Sequence, residues 1–198
     1  MKIFLLRHGE VEGTGEKCFL GQTDLPLSPA GRDQAEAWKA YFAGRLPGRI
    51  ASSPLCRALE FARIIAGDRA KEIEVYSALS EIDLGDWDGR SMAEIREGDP
   101  ISWKARGKDF AAFRPPGGES FANLQDRVVP VFERLSTESE TDLLIVCHAG
   151  VNRVILCHLL EMPLDNLFRI GQDSGCLNMI EKNRQGFRVA AMNRLLQH

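Results

Sequence analysis

Four short runs rich in Ile, Leu and Val punctuate this chain: KIFLL at 2–6, GRIASS at 48–53, EIEVY at 72–76 and DLLIVCH at 142–148. Their length and composition are those of strands buried on both faces, as in a parallel sheet. Helical spacing fills the gaps between them. Ser28-Pro29 offers an N-cap followed by proline in the first turn, and Ala35, Trp38 and Phe42 then recur on one face. The stretch 54–66 repeats the pattern with Leu55, Leu59, Ala62 and Ile65 or Ala66, and 121–135 carries it through Phe121, Leu124, Val128, Phe132 and Leu135. Strand, helix and strand in repetition predict an α/β fold with a largely parallel sheet and helices on both faces. Near the end, GCLNMIEKNRQGFRVAAMN reads as two strands joined by a polar turn around Asn183 to Gly186, so a hairpin is expected to extend the sheet. Residues 83–119 fit the alternation least. With short helical pieces, many charges and a Pro-Pro-Gly-Gly stop, they read as an insertion lying over one end of the sheet.

At 198 residues the chain is expected to form a single domain over 1–198. The 25 basic and 28 acidic side chains leave a net charge of -3, without the basic excess of a nucleic-acid binder. No apolar run is long enough to span a membrane, and the first residues lack the pattern of a signal peptide, which points to a cytoplasmic protein without membrane partners. Cys18, Cys56, Cys147, Cys157 and Cys176 form an odd set with no CxxC, so neither a disulfide framework nor a zinc site is implied.

Ligands of open α/β sheets sit beyond the carboxyl ends of the strands. Arg7 and His8 follow the first strand, and Ser52, Ser53 and Arg57 follow the second. Glu81 comes after EIEVYSALS, and His148 with Ala149 and Gly150 after LLIVC. Two histidines, two arginines and one carboxylate in these places suit a phosphoryl group. Arginine forks bind its oxygens, and the helix start around Gly150 adds backbone N–H groups. A neutral imidazole can displace an alcohol from phosphorus in line, giving a phosphohistidine that water later cleaves. That role needs the other ring nitrogen held by an acceptor, such as a carbonyl in the turn from Gly9 to Val11. The leaving alkoxide needs a proton, for which Glu81 is the carboxyl of the constellation. Taken singly, His8 or His148 would be a polar strand end and Arg57 a surface helix residue; their shared placement favours function.

The motifs RHGE at 7–10, SSPLCRALEFA at 52–62, LSEIDLGDWDG at 79–89, PPGGES at 115–120 and CHAGVNRVIL at 147–156 occur in order along essentially the whole chain. Together they resemble the histidine phosphatase superfamily, the phosphoglycerate mutase-like fold. The resemblance implies a three-layer α/β/α sandwich around a mixed, mostly parallel sheet, with the 83–119 insertion over the active-site end. It implies that His8 is phosphorylated, that Glu81 donates and accepts protons, and that Arg7, Arg57 and His148 hold the phosphoryl oxygens. It singles out Glu81 from the neighbouring Asp83, Asp86 and Asp88. Thr14, Gly21, Gln22 and Ala149, with Arg7 and Arg57, are the expected substrate contacts. No metal and no other cofactor is implied, because cationic side chains neutralise the developing charge. Departures from the family's usual pattern are Val11 and Thr14 after RHGE, apolar Leu20 before Gly21, and Ala149 after the second histidine.

Within the superfamily, a mutase needs extra cations for a carboxylate, whereas the stretch after Glu81 is acidic. Hydrolysis of a small phosphomonoester is therefore expected, with the α-ribazole phosphatase and broad-specificity branches the most similar. Phosphoglycerate mutase-type transfer and a non-catalytic phosphate-sensing domain are the alternatives. The C-terminal hairpin leaves two options, pairing across a homodimer or simply completing the sheet.

Overall fold

The computed structural model describes residues 1–13 and 18–196. Its sheet has six strands: β1 (Lys2–Arg7), β2 (Arg49–Ser52), β3 (Glu74–Val75), β4 (Leu143–Cys147), β5 (Leu177–Asn183) and β6 (Gly186–Arg194). Their order is β3-β2-β4-β1-β5-β6. β1, β2, β3 and β4 pair in parallel, and β5 and β6 add the antiparallel hairpin. Among the described residues six α-helices accompany them: α1 (Pro29–Tyr41), α2 (Cys56–Ala66), α3 (Met92–Gly98), α4 (Pro100–Lys108), α5 (Phe121–Glu138) and α6 (Ala149–Leu159). The architecture is the α/β sandwich expected from the alternation of strand and helix signals.

Alternation along the central strands distributes the core. Ile3 and Leu5 of β1, with Leu143, Ile145 and Cys147 of β4, pack under α5 and α6 against Leu124, Val128, Phe132, Val151, Val154 and Ile155. Phe4 and Leu6, with Leu144 and Val146, face the other way and meet Trp38 of α1 and Phe61, Ala62 and Ile65 of α2. Successive side chains of a strand point to opposite faces, so an unbroken apolar run supplies both layers at once.

Helix ends follow local chemistry. The Ser28 hydroxyl accepts the Gly31 N–H at 3.1 Å to start α1, and Pro29 occupies the first turn. Ser120 and Asn123 make a reciprocal cap at the start of α5, as Ser91 and Glu94 do for α3. Pro130 lies inside α5 on its exposed side. Its missing N–H leaves the Asp126 carbonyl to solvent, which makes the interruption tolerable there.

The two ends of the 83–119 segment, which runs from the loop after β3 to the start of α5, meet at one neck. Asp86 N–H donates to the Pro116 carbonyl at 2.9 Å, and Glu119 N–H to the Asp83 carbonyl at 2.9 Å. Gly85, at φ 52°, lies so close that a Cβ would sit 2.2 Å from the Pro116 oxygen. Only glycine meets both the left-handed backbone and that approach. Trp87 and Ile95 are buried in the same cluster as Leu124 and Phe132, while Trp103 packs half-buried against it. Trp87 is thus core, its ring in tilted contact with Phe19 at 5.3 Å and Phe113 at 5.2 Å between centres.

Candidate active site

His8 follows β1 directly. Its backbone N–H donates to the Cys147 carbonyl on neighbouring β4, and its carbonyl accepts from Gly175, each near 3 Å, so the strand end holds the residue rigidly. The ring is buried, and its Nδ1 lies 2.7 Å from the Gly9 carbonyl oxygen. A carbonyl can only accept, so Nδ1 carries the proton and Nε2 keeps its lone pair. Burial, reinforced by the Arg7 and Arg57 charges, pushes the His8 pKa well below the ordinary imidazole value. The imidazole is therefore neutral.

His148 stands at the end of β4, as the residue preceding α6, with its ring centre 5.1 Å from that of His8. It too is fully buried and held well below its usual pKa, by burial first and then by His8, Arg57 and Arg7. Its Nε2 lies 2.7 Å from the Ser53 hydroxyl at the end of β2. Arg7 donates from one terminal nitrogen to the Gln172 carbonyl at 2.6 Å. Arg57, in the first turn of α2, donates to the carbonyls of Gly21 at 2.6 Å and Thr23 at 2.8 Å. These tethers fix both guanidinium groups before any ligand arrives. Among the described residues, the buried side-chain nitrogens and oxygens without a hydrogen-bond partner are Arg7 Nε, Arg57 Nε and His148 Nδ1. Three buried nitrogens left without a partner on neighbouring residues, two of them arginine N–H donors, can meet an anion.

Glu81 is buried at the edge of this group. Its carboxylate accepts the Gly150 N–H at 3.0 Å and its own neighbour's, from Ile82, at 2.9 Å. The α6 start thus departs from expectation: the Gly150 N–H serves Glu81 instead of standing open to an anion. A Cβ on Gly150 would sit 2.4 Å from Glu81 Oε1, so glycine is what lets the carboxylate reach the helix end. Ala149, the first residue of α6, is half-buried beside it.

Arg127 of α5 braces the Glu81 loop, donating to the carbonyls of Ala78, Ser80 and Glu81 and pairing with Glu119. Asp88 anchors the facing loop, where its carboxylate accepts the N–H groups of Gly21, Gln22 and Thr23, each at 2.8 Å. The Gly21 and Gln22 backbone donors are therefore committed to Asp88, while the Gln22 side-chain amide reaches the Glu81 carbonyl at 3.2 Å. Thr14 lies outside the described residues. The structure brings together Arg7, His8, Arg57, Glu81 and His148, with Gln22 adjoining through Glu81. Sequence reading did not single out Arg127, Glu119, Asp88 and Gln172 as supports. An acidic residue in an acidic loop, or an arginine on an amphipathic helix, carries no local sign of the carbonyls it will meet. Ser53 was visible in SSP at a strand end, without a role.

Comparison with known proteins adds to this geometry. The family model of the histidine phosphatase superfamily (branch 1) matches residues 3–195. Adenosylcobalamin/alpha-ribazole phosphatase of Escherichia coli is 27% identical over 98% of this chain and 96% of its own length. Glucosyl-3-phosphoglycerate phosphatase of Mycolicibacterium vanbaalenii is 34% identical over 83% of this chain and 76% of its own. Among solved structures, the alpha-ribazole phosphatase of Shigella flexneri superposes with a TM-score of 0.90 at 27% identity, covering 98% of this chain and 96% of that one. A mycobacterial glucosyl-3-phosphoglycerate phosphatase in complex with VO3 superposes with a TM-score of 0.85 at 28% identity, covering 97% and 98%. The chain belongs to the histidine phosphatase superfamily, branch 1, and is a phosphatase of that family.

Proposed function

We propose that the chain hydrolyses small phosphomonoesters through a phosphohistidine on His8, with no metal ion in the reaction. The observation that carries this reading is the trio of buried nitrogens without partners on Arg7, Arg57 and His148 beside a neutral His8 whose Nε2 keeps its lone pair. In the first half-reaction the Nε2 lone pair forms a bond to phosphorus as the ester P–O bond breaks. The protonated Glu81 carboxyl gives its proton to the departing alkoxide. In the second, Glu81 takes a proton from water, the hydroxide oxygen bonds to phosphorus, and the P–N bond electrons return to His8. Arg7, Arg57 and His148 stabilise the oxygens through both transition states, in the manner of a preorganised oxyanion site. Bound VO3 in the similar mycobacterial phosphatase is in keeping with such a cradle.

The alcohol half remains a proposal of narrower scope: α-ribazole phosphate and glucosyl-3-phosphoglycerate, named by the relatives, head the panel to be tried. Phosphate release should persist in excess chelator and fall by about 10³-fold or more in His8→Ala. An acid-labile, base-stable phosphoryl label should appear on the wild type after rapid quench. Chelator-sensitive turnover, or full activity in His8→Ala, would overturn the mechanism. Transfer between positions of phosphoglycerate without release would point to the mutase alternative, and tight phosphate binding without turnover to a sensing domain.

A further inference from the structure

Both histidines at the strand ends are buried and neutral, yet they must do opposite things. His8 needs a bare nitrogen facing the phosphoryl group. His148, if it is to hold an oxygen there, needs a nitrogen carrying a proton. Which ring nitrogen bears the proton of a neutral imidazole is set by the partner of the other one.

Ser53 is the partner of His148, and its hydrogen bonds can be accounted for in full. It is completely buried, follows β2, and is tied to β4 by its own N–H to the Val146 carbonyl at 3.0 Å. Adjacent parallel strands therefore deliver Ser53 and His148 side by side. The Ser53 oxygen accepts the Leu55 N–H at 3.2 Å and lies 2.7 Å from His148 Nε2. Among the described residues the hydroxyl proton has no other acceptor. Were Nε2 protonated, the serine oxygen would accept twice and its own O–H would be stranded in the core, at the cost of an unmade buried hydrogen bond. The bare Nδ1 would then confront phosphoryl oxygens, lone pair against lone pair. With the hydroxyl donating to Nε2, every one of these groups is satisfied and the proton sits on Nδ1, the ring nitrogen that lacks a protein partner.

We propose that Ser53 is a positioning residue that locks His148 in the Nδ1–H tautomer, so that a neutral imidazole presents an N–H donor to the phosphoryl oxygens. His8 and His148 then share one tautomer and differ only in which edge faces the substrate. His8 spends its Nδ1–H on the Gly9 carbonyl and offers Nε2 as nucleophile; His148 spends Nε2 on Ser53 and offers Nδ1–H. The catalytic meaning of this rests on the phosphatase reading, whereas the tautomer itself does not.

The test is ring-nitrogen NMR of the histidine-labelled full chain above pH 7, with His148 assigned by comparison with His148→Gln. The expected pattern is a protonated Nδ1 and a bare Nε2. Ser53→Ala should lose that signature, lower kcat by about 10- to 100-fold with KM moved by less than about threefold, and Ser53→Thr should restore both. A wild-type His148 protonated at Nε2, or doubly protonated, would overturn the inference even if Ser53→Ala did not fold. So would a folded Ser53→Ala that kept both the Nδ1–H signature and full kcat. The expected tautomer in a wild type that released no phosphate from any ester would instead sink the proposed function and leave the tautomer standing.

Discussion

His8 and His148 share one environment, in which burial and two guanidinium groups disfavour the imidazolium. Both pKa values are lowered by folding, so below about pH 6.5 the unfolded chain binds protons that the folded chain refuses. Their contribution leaves stability unaffected above that pH, and stability is lost as the pH falls towards the lower folded values. Urea midpoints measured from pH 8 to pH 5 should therefore drop, and the drop should be smaller in His8→Asn. An equal pH slope in the two proteins would show that His8 is not held neutral by the fold. Gly150 offers a second test at this scale. In Gly150→Ala the added Cβ must displace the Glu81 carboxylate from the α6 start, since 2.4 Å is well inside contact distance. A loss of about 10²-fold in kcat is expected, in a protein that still folds, because an ångström of misplacement at the proposed proton donor has that order of effect.

Among the elements, α5 joins the core to the loop that bears Glu81. One face buries Leu124, Val128, Phe132 and Leu135; its shoulder carries Arg127, which holds three carbonyls of the loop bearing Glu81. Glu119 completes the brace by accepting from both Arg127 and the Asp83 N–H at 2.9 Å. Arg127→Met keeps the apolar stem but strands those carbonyls. It should cost about 2 kcal/mol in urea unfolding, given what a charged donor contributes, and should also reduce kcat. Unchanged kcat in a destabilised variant would mean that the Glu81 loop keeps its place without the brace. Leu20, the apolar departure beside Gly21, belongs to the facing loop. There Asp88 takes three successive backbone N–H groups, while Arg57 holds the carbonyls of Gly21 and Thr23.

Across the whole molecule, one sheet separates two apolar layers, and the 83–119 segment shares its aromatics with one of them. Trp87 and Trp103 report from that segment and Trp38 from the opposite layer. Since Trp87 and Ile95 share one buried cluster with Leu124, Val128 and Phe132 of α5, the insertion is expected to unfold with the sheet. Tryptophan fluorescence and far-UV circular dichroism should then follow one coincident transition. An earlier fluorescence transition, removed by replacing Trp87 and Trp103 but not Trp38, would show the segment to be a separate unit.

Local chemistry written into consecutive residues was legible in advance. Apolar runs that supply both faces of a strand, Ser28-Pro29 at a helix start, and arginine, histidine and serine placed just after strands all act over a few residues. They made the α/β class and the placing of Arg7, His8, Arg57 and His148 near one another readable from the chain. The order β3-β2-β4-β1-β5-β6 depended on pairing over long separations. So did the commitment of Gly150 to Glu81, 69 residues away, and of Ser53 to His148, 95 residues away. Hydrogen bonds are short and directional, so they form only between groups that the packed sheet has already brought within about 3 Å. Sequence could name the groups gathered beyond the strand ends; only the tertiary structure decided which of their nitrogens were already spent and which were left without a partner.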